Sequence, residues 1–388
     1  MRVGIFVGEF NPLSGGGNTL QKTIIKELKE CNTGDYEFVF LYSGGRYSGK
    51  ETEQNGFKYY NVDREPSTIK KVLKRFWENK HSLKACNYYK FDIIAKKHNI
   101  DIFWIVTPWK LDITYPYIFT VWDLGHRMTP YFPEMSLNSE WLIREDNYSQ
   151  MLPRASYILT GNETGKKEIM DNYSVSPDKI RIAPFPISNF CFGEEKKPGF
   201  DIPDKYFFYP AQFWAHKNHI CILDALHILK EDHGLDAKVF FTGTDYGNKQ
   251  YIQDKATEYG LAENIIFTGF LEEEELKYIY THATAMLYAS QLGPNNLPPI
   301  EATFLGCPVI ISNIPGHREQ LGDSALYFDG GNPSELAELM YDIWNNEEIR
   351  NNIIAKERIL ASDFKGNKYI DGVLAILDEF RNIRRMWR

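Results

Sequence analysis

No run of about eighteen uncharged apolar residues occurs in the 388-residue sequence, so nothing in it reads as a helix able to span a bilayer. The five cysteines, Cys31, Cys86, Cys191, Cys221 and Cys307, are odd in number and form no CxxC pair. Their scatter argues against a zinc ribbon or a disulfide framework, fits a reducing cytoplasm, and leaves the thiols as small buried hydrophobes. G-x-G-x-x-G and G-x-x-x-x-G-K-[ST] are both missing, which removes the main support for a dinucleotide site or a P-loop. A DxD-like metal site is missing too, since "FTGTDYGN" holds one acid. The opening "MRVGIFVGEFNPL" is too short in its apolar part and too soon acidic for a signal peptide, and reads as a first strand.

What is present is an ordinary globular composition, 43% hydrophobic and 25% charged, in a chain too long for one comfortable core. Charge is unevenly spread. Residues 1–190 carry 25 Lys+Arg and 22 Asp+Glu, a balance of +3; from totals of 44 and 52 the remainder holds 19 and 30, a balance of −11. An acidic second half does not suit a nucleic acid track. A mildly basic first half suits an anionic membrane surface or a phosphorylated acceptor.

Near-continuous apolar runs predict strands over 2–8, 36–43, 57–62, 101–107, 117–123, 157–161 and 179–185, as for strands buried on both faces of a parallel sheet. Helices are expected between them at 18–30, 67–98, 139–154 and 163–173, the last capped by Asn162. The stretch 187–205, rich in Pro, Gly and charge, reads as a linker. The alternation then restarts. Strands are expected at 206–211, 237–243, 264–270, 285–290, 308–312 and 325–328, and helices at 218–232, 248–259, 272–282, 299–305, 333–345, 347–361 and 366–385. Strand–helix alternation twice over predicts an α/β chain with two doubly wound, Rossmann-like domains facing each other across a cleft. The last helix, with Ile370, Val373, Leu377 and Phe380 on one side, packs either on its own domain or back on the first.

Ligands in such sheets lie beyond the carboxyl ends of the strands. Four stretches there carry candidate chemistry. Gly15, Gly16 and Gly17 open the first helix and let the backbone approach a ligand, although a plain flexible turn reads the same way. Asp123 and His126 follow the strand 117–123, a carboxylate and an imidazole able to orient a hydroxyl or take its proton. Lys217 precedes a helix N-terminus, an arrangement suited to a phosphate. Asn295 and Asn296 precede a helix carrying Glu301, whose carboxylate is placed to accept from a ribose diol.

The runs "FYPAQFWAHKNHICILDAL" and "GPNNLPPIEATFLGCPVIISNIPGHREQLGDSALYF", with the glycine loop, "IFTVWDLGHRMTPYFP" and "LTGNETGKKEIMDNYSVSPDKIRIAPFPI" in this order, resemble the retaining glycosyltransferases of family 4. The resemblance implies the GT-B fold, with 1–190 on the acceptor side, 191–365 binding a nucleotide sugar, and helix 366–388 crossing back to the first domain. It implies that Gly15 to Gly17 lie against donor phosphates and acceptor, that Lys217 and Gln212 flank the pyrophosphate, that Glu301 holds the ribose, and that Asn296 and Leu297 offer backbone N–H groups to a phosphate. Glu319 matches an acidic position of unassigned role. Three positions depart from the family pattern. The first glutamate of E-x7-E falls at Gly293, the arginine of "GR…K" at Gln212, and the histidine of "HD" at Trp122, with Asn295 or Asn296 standing in for the missing acid.

The resemblance implies metal-independent, cofactor-free transfer of a hexose, with retention, from a UDP-, GDP- or dTDP-sugar to a glycan or lipid-linked glycan, in assembly of a bacterial surface polysaccharide such as O-antigen or capsule. The span 64–98 holds ten Lys/Arg against three Asp/Glu, with Ile69, Val72, Leu73 and Phe76 to one side. It is read either as a solvated helix or as a contact with the anionic inner membrane, which would make a cytoplasmic protein peripheral to that surface. The three departures keep a catalytically silent nucleotide-sugar binder or partner subunit open. A GT-B nucleotide-sugar epimerase is the other alternative.

Overall fold

The computed structural model describes residues 1–7, 15–42, 52–54, 57–62, 90–364 and 366–387. The first sheet contains β1 (Arg2–Val7), β2 (Glu37–Tyr42), β3 (Thr52–Gln54), β4 (Phe57–Asn61), β5 (Ile102–Ile105), β6 (Tyr117–Thr120), β7 (Tyr157–Thr160) and β8 (Ile180–Ile182). Their order is β3-β4-β2-β1-β5-β6-β7-β8, parallel throughout except for β3, which runs antiparallel to β4 at the edge. The second sheet contains β9 (Phe207–Pro210), β10 (Val239–Thr242), β11 (Ile265–Phe267), β12 (Ala285–Tyr288), β13 (Val309–Ser312) and β14 (Leu326–Phe328), in the order β11-β10-β9-β12-β13-β14 and all parallel. Every expected strand is found, trimmed at its ends where apolar residues continue into loops. Among the described strands only β3, "TEQ", has no apolar signal and escaped the pattern.

The central strands are apolar on both faces because helices cover both. All four residues of β5, "IFWI", and of β12, "AMLY", are buried. Each fully buried Ile, Leu, Phe or Met among them contributes about 1.5–3 kcal/mol. The expected helices are present among the described residues, with short extra turns at Gly125–Met128, Pro133–Ser136 and Pro315–Leu321. Of the basic span 64–98, only the helix Lys90–His98 falls within the described residues; Ile69, Val72, Leu73 and Phe76 lie outside them.

The last helix, Lys368–Arg384, returns to the first sheet. Tyr369, Ile370, Val373, Ile376, Leu377 and Phe380 join one core cluster with Val3, Ile5 and Val7 of β1 and with Leu20, Ile24 and Leu28 of the helix Gly16–Glu30. Tyr36 donates to Asp378 at 2.5 Å, and Arg181 pairs with Glu379 at 3.0 Å. Gly372 is required here: a Cβ on it would meet the Ala183 Cβ at 2.9 Å. The stretch 187–205 is partly docked, since Phe190 and Cys191 are buried in the second sheet's core and the Phe190 ring stacks on Tyr280 at 5.8 Å.

Candidate active site

Strand order reverses between β1 and β5 in one sheet and between β9 and β12 in the other. The loops leaving these strands diverge there and open a crevice. The two crevices face each other and merge into one cavity of about 410 Å³. Gly15, Gly16, Gly17 and Asp123 line it from the first sheet; Gln212, Lys217, Asn295, Asn296, Leu297 and Glu301 line it from the second.

Lys217 ends a short turn, Ala215–Lys217, whose next residue, Asn218, takes a left-handed conformation (φ 56°) that redirects the chain into the helix His219–His233. Its Nζ donates to Tyr288 Oη at 3.0 Å, Ser290 Oγ at 3.3 Å and Asn296 Oδ1 at 3.4 Å. Burial away from water brings its pKa down to about 8. A buried relay fixes the Asn296 amide that faces it. His317 Nδ1–H donates to the Ser312 carbonyl at 2.8 Å, leaving Nε2 to accept from Asn296 Nδ2 at 3.0 Å. Burial pushes the His317 pKa to about 3, so the ring is neutral, as that relay requires. The Asn296 backbone N–H, which the resemblance assigns to a phosphate, has a protein partner. It donates to Gln320 Oε1 at 3.0 Å, and Gln320 Nε2 returns a bond to the Asn296 carbonyl at 3.1 Å.

Glu301 sits in the helix Leu297–Leu305, which opens on Pro298 and Pro299, where the fixed φ of proline suits a first turn. Ser188 Oγ donates to its Oε1, and Tyr280 Oη donates to Oε2 at 2.9 Å. Burial raises the carboxyl pKa, and those two hydroxyls pull it back. Asn295 turns towards the first sheet: its Nδ2 donates to Asn162 Oδ1 at 3.3 Å, while Asn162 Nδ2 donates to the Pro294 carbonyl at 2.6 Å.

On the facing side Gly15 has φ 69°, and a Cβ there would lie 2.5 Å from Gln212 Nε2. A Cβ on Gly17 would lie 2.7 Å from the Trp122 ring. Gly15 therefore meets the second half as backbone against side chain, while Gly17 packs in the same way within the first half. Asp123 Oδ1 accepts from the Arg144 guanidinium and from the Gly125 N–H at 2.8 Å. Burial alone would raise its pKa, but those partners hold the carboxyl below the usual range. His126 is not brought to the cleft. It is fully buried, its Nδ1 accepts from Arg144 Nε at 3.4 Å, its Nε2 faces Tyr173 Oη at 3.2 Å and Glu145 at 3.3 Å, and its ring stacks on Tyr148. Burial, with the Arg144 charge beside it, lowers its pKa to about 4. One turn of helix after Leu124 points the imidazole inward, so a strand-end position did not translate into a cleft position.

Several groups that line the cleft, or are buried behind it against Glu301 and Asn296, carried no sequence signal of their own. Tyr280 and Tyr288 read as core aromatics; Ser188 lies in the linker; His317 comes from a short helix that the pattern did not register. His216 adjoins Lys217 and was legible as a neighbour, but its partner is 82 residues away: Glu134 Oε1 accepts from the His216 backbone N–H at 2.8 Å and lies 2.5 Å from His216 Nδ1.

Comparison with known proteins follows the same outline. The family described as "Glycosyl transferases group 1" matches residues 193–359. The O-antigen chain mannosyltransferase RfbU of Salmonella typhimurium is 28% identical over 221 residues, 56% of this chain and 59% of that protein. O-antigen chain mannosyltransferase B of Escherichia coli is 24% identical over 193 residues, 48% of this chain and 50% of that protein. The chain thus spans about half the length of the curated relatives it matches. Among solved structures, sucrose-phosphate synthase from Thermosynechococcus elongatus superposes with a TM-score of 0.75 at 13% identity, covering 98% of each chain. Residues 193–359 thus match the glycosyl transferases group 1 family, and the two sheets together share the GT-B fold of that solved structure.

Proposed function

We propose that the protein is a retaining hexosyltransferase that moves a sugar, with mannose as the leading candidate, from a nucleoside diphosphate to a glycan or lipid-linked glycan acceptor in surface polysaccharide assembly. The observation that carries this reading is the convergence of Lys217, Asn296 and Glu301 from one sheet with the Gly15–Gly17 turn and Asp123 from the other on a single cleft. The mannose preference rests on relatives described as O-antigen mannosyltransferases.

In this reading the second sheet holds the donor. Glu301, whose carboxylate is already oriented by two hydroxyls, accepts from the ribose. Lys217 meets the diphosphate, with the N-terminus of the helix Leu297–Leu305 adding a positive partial charge through Leu297. The acceptor enters from the side of Gly15–Gly17 and Asp123, and attacks on the face the diphosphate leaves. Positive groups fixed where the leaving oxygen gathers charge lower the barrier without having to reorganise.

The test is transfer from GDP-mannose, UDP-glucose and UDP-N-acetylglucosamine to lipid-linked and soluble glycans, followed by mass spectrometry with Glu301→Ala as control. New glycosidic product with the wild type and not with the variant is expected. Donor that binds but is never transferred or hydrolysed points to the silent binder, the reading favoured by the Gly293, Gln212 and Trp122 departures.

A further inference from the structure

Glu134 and His216 come from opposite halves of the molecule and meet at the cleft. Glu134 lies in the short helix Pro133–Ser136 beyond β6; His216 lies in the turn after β9 that also supplies Lys217. One carboxylate oxygen takes both the backbone N–H and the Nδ1 edge of His216, so ring position and tautomer are set together. The His216 residue is 7% exposed and lines the cavity, and its Nε2 makes no hydrogen bond among the described residues. A nine-tenths buried imidazole held at Nδ1, with Nε2 left over at a cleft, is arranged to act on what enters that cleft.

We propose that Nε2 of His216, backed by Glu134, is a second cationic contact for the donor diphosphate beside Lys217, formed by uptake of a proton when the diphosphate binds. This rests on the transferase reading for its ligand. The basic groups lining the cavity among the described residues are Lys22, His216 and Lys217, and Gln212 supplies no charge. A diphosphate needs more than one positive partner in a cleft that also presents Asp123, Glu273 and Glu301. The charged groups that act on the His216 ring are Glu134 and Asp123, which favour protonation, and Lys217, which opposes it; burial outweighs them and keeps the empty-site imidazole neutral. An arriving diphosphate tips that balance. The proton comes from solvent, Nδ1–H stays on Glu134, and Nε2–H turns to a phosphate oxygen. His216 is then the residue in contact with substrate, and Glu134 a positioning residue acting through it.

Calorimetry on the full chain at pH 7 tests this, using inorganic pyrophosphate, UDP and GDP in two buffers of different ionisation enthalpy. The wild type is expected to take up protons on binding. His216→Asn should abolish the His-dependent uptake and weaken diphosphate binding by about ten- to a hundredfold, the usual cost of losing a charge-assisted bond. Glu134→Gln keeps an acceptor for the backbone N–H and should weaken binding about three- to tenfold with partial loss of uptake. Thermal unfolding of each variant separates this from misfolding, and His216→Gln gives a second side chain if Asn unfolds the turn. Unchanged affinity and proton uptake in His216→Asn overturn the proposal, as does a wild type that binds none of the three ligands. Unchanged affinity for these three ligands with weakened binding of GDP-mannose or UDP-glucose, titrated alongside them, also overturns it and assigns the imidazole to a hydroxyl. Diphosphate binding through His216 without any sugar transfer sinks the transferase reading and leaves this contact standing.

Discussion

The Glu319 carboxylate caps a helix that belongs to the opposite half of the molecule: it accepts from the Thr164 N–H at 2.7 Å and from the Thr164 hydroxyl at 2.5 Å. Its other oxygen takes the Glu163 N–H at 2.7 Å, so the first turn of Glu163–Asn172 is satisfied from within by Asn162 and from across the cleft by Glu319. A carboxylate at a helix N-terminus is favoured by both hydrogen bonding and dipole, worth about 0.5–2 kcal/mol at a cap. Its exposed setting puts it at the lower end. Glu319→Ala should therefore shift the free protein towards an open form. Small-angle scattering reads this as a larger radius of gyration, and an unchanged radius would remove the latch.

Lys217 carries the clearest pH signature. With burial holding its pKa near about 8, the ammonium is present at pH 7 and lost as pH rises through that value. Affinity for UDP or GDP should fall above pH 8, by up to about tenfold per pH unit until the bound-state pKa is passed. Lys217→Arg, charged throughout, should lose the fall that begins near pH 8 and keep only the pH dependence that proton uptake by His216 imposes. A wild-type profile flat to pH 10 would place Lys217 outside the phosphate contacts.

The glycine contacts predict a geometric penalty. Gly17→Ala puts a methyl 2.7 Å from the Trp122 ring, so the ring or the first helix must move. Small displacements at a reacting centre cost up to about a hundredfold in rate. Transfer by Gly17→Ala should fall at least tenfold by that measure, with thermal stability nearly unchanged. Gly16→Ala is the matched control for stability alone, because nothing lies within 4 Å of its Cβ position.

The returning helix predicts a stability effect far from the cleft. Val373 is fully buried in the core cluster that the returning helix shares with β1 and the first helix. Val373→Asp buries an unpaired carboxylate and should cost several kcal/mol, about 3 or more. Limited proteolysis should then cut the first-sheet half before the second. Equal resistance of both halves would mean the helix contributes little to the first core.

Strands were legible because each doubly covered strand is a short apolar run, from "IFWI" to "AMLY", and no tertiary knowledge is needed to see it. The polar edge strand "TEQ" had no such signature. Cleft-lining residues such as Lys217, in the turn after β9, and Glu301, in the helix after β12, were legible as candidates because crevices form where strand order reverses. His126 was not, since one helical turn decides whether a side chain faces cleft or core. The Glu134–His216 and Glu319–Thr164 pairs were invisible for a different reason. Each joins residues from the two halves, and local pattern carries no record of which loops will meet.

The chain passes between its halves twice, once after β8 and again before the helix Lys368–Arg384, and the two passages are neighbours: Gly372 lies against Ala183. Two bodies joined by one thread can swivel freely. Joined by two threads side by side, they keep one easy motion, a book-like opening about the line through both crossings. Such an opening would part the contacts that join the halves, Glu319 with Thr164, Glu134 with His216 and Gly15 with Gln212, together, and the cleft would fill or empty as one event.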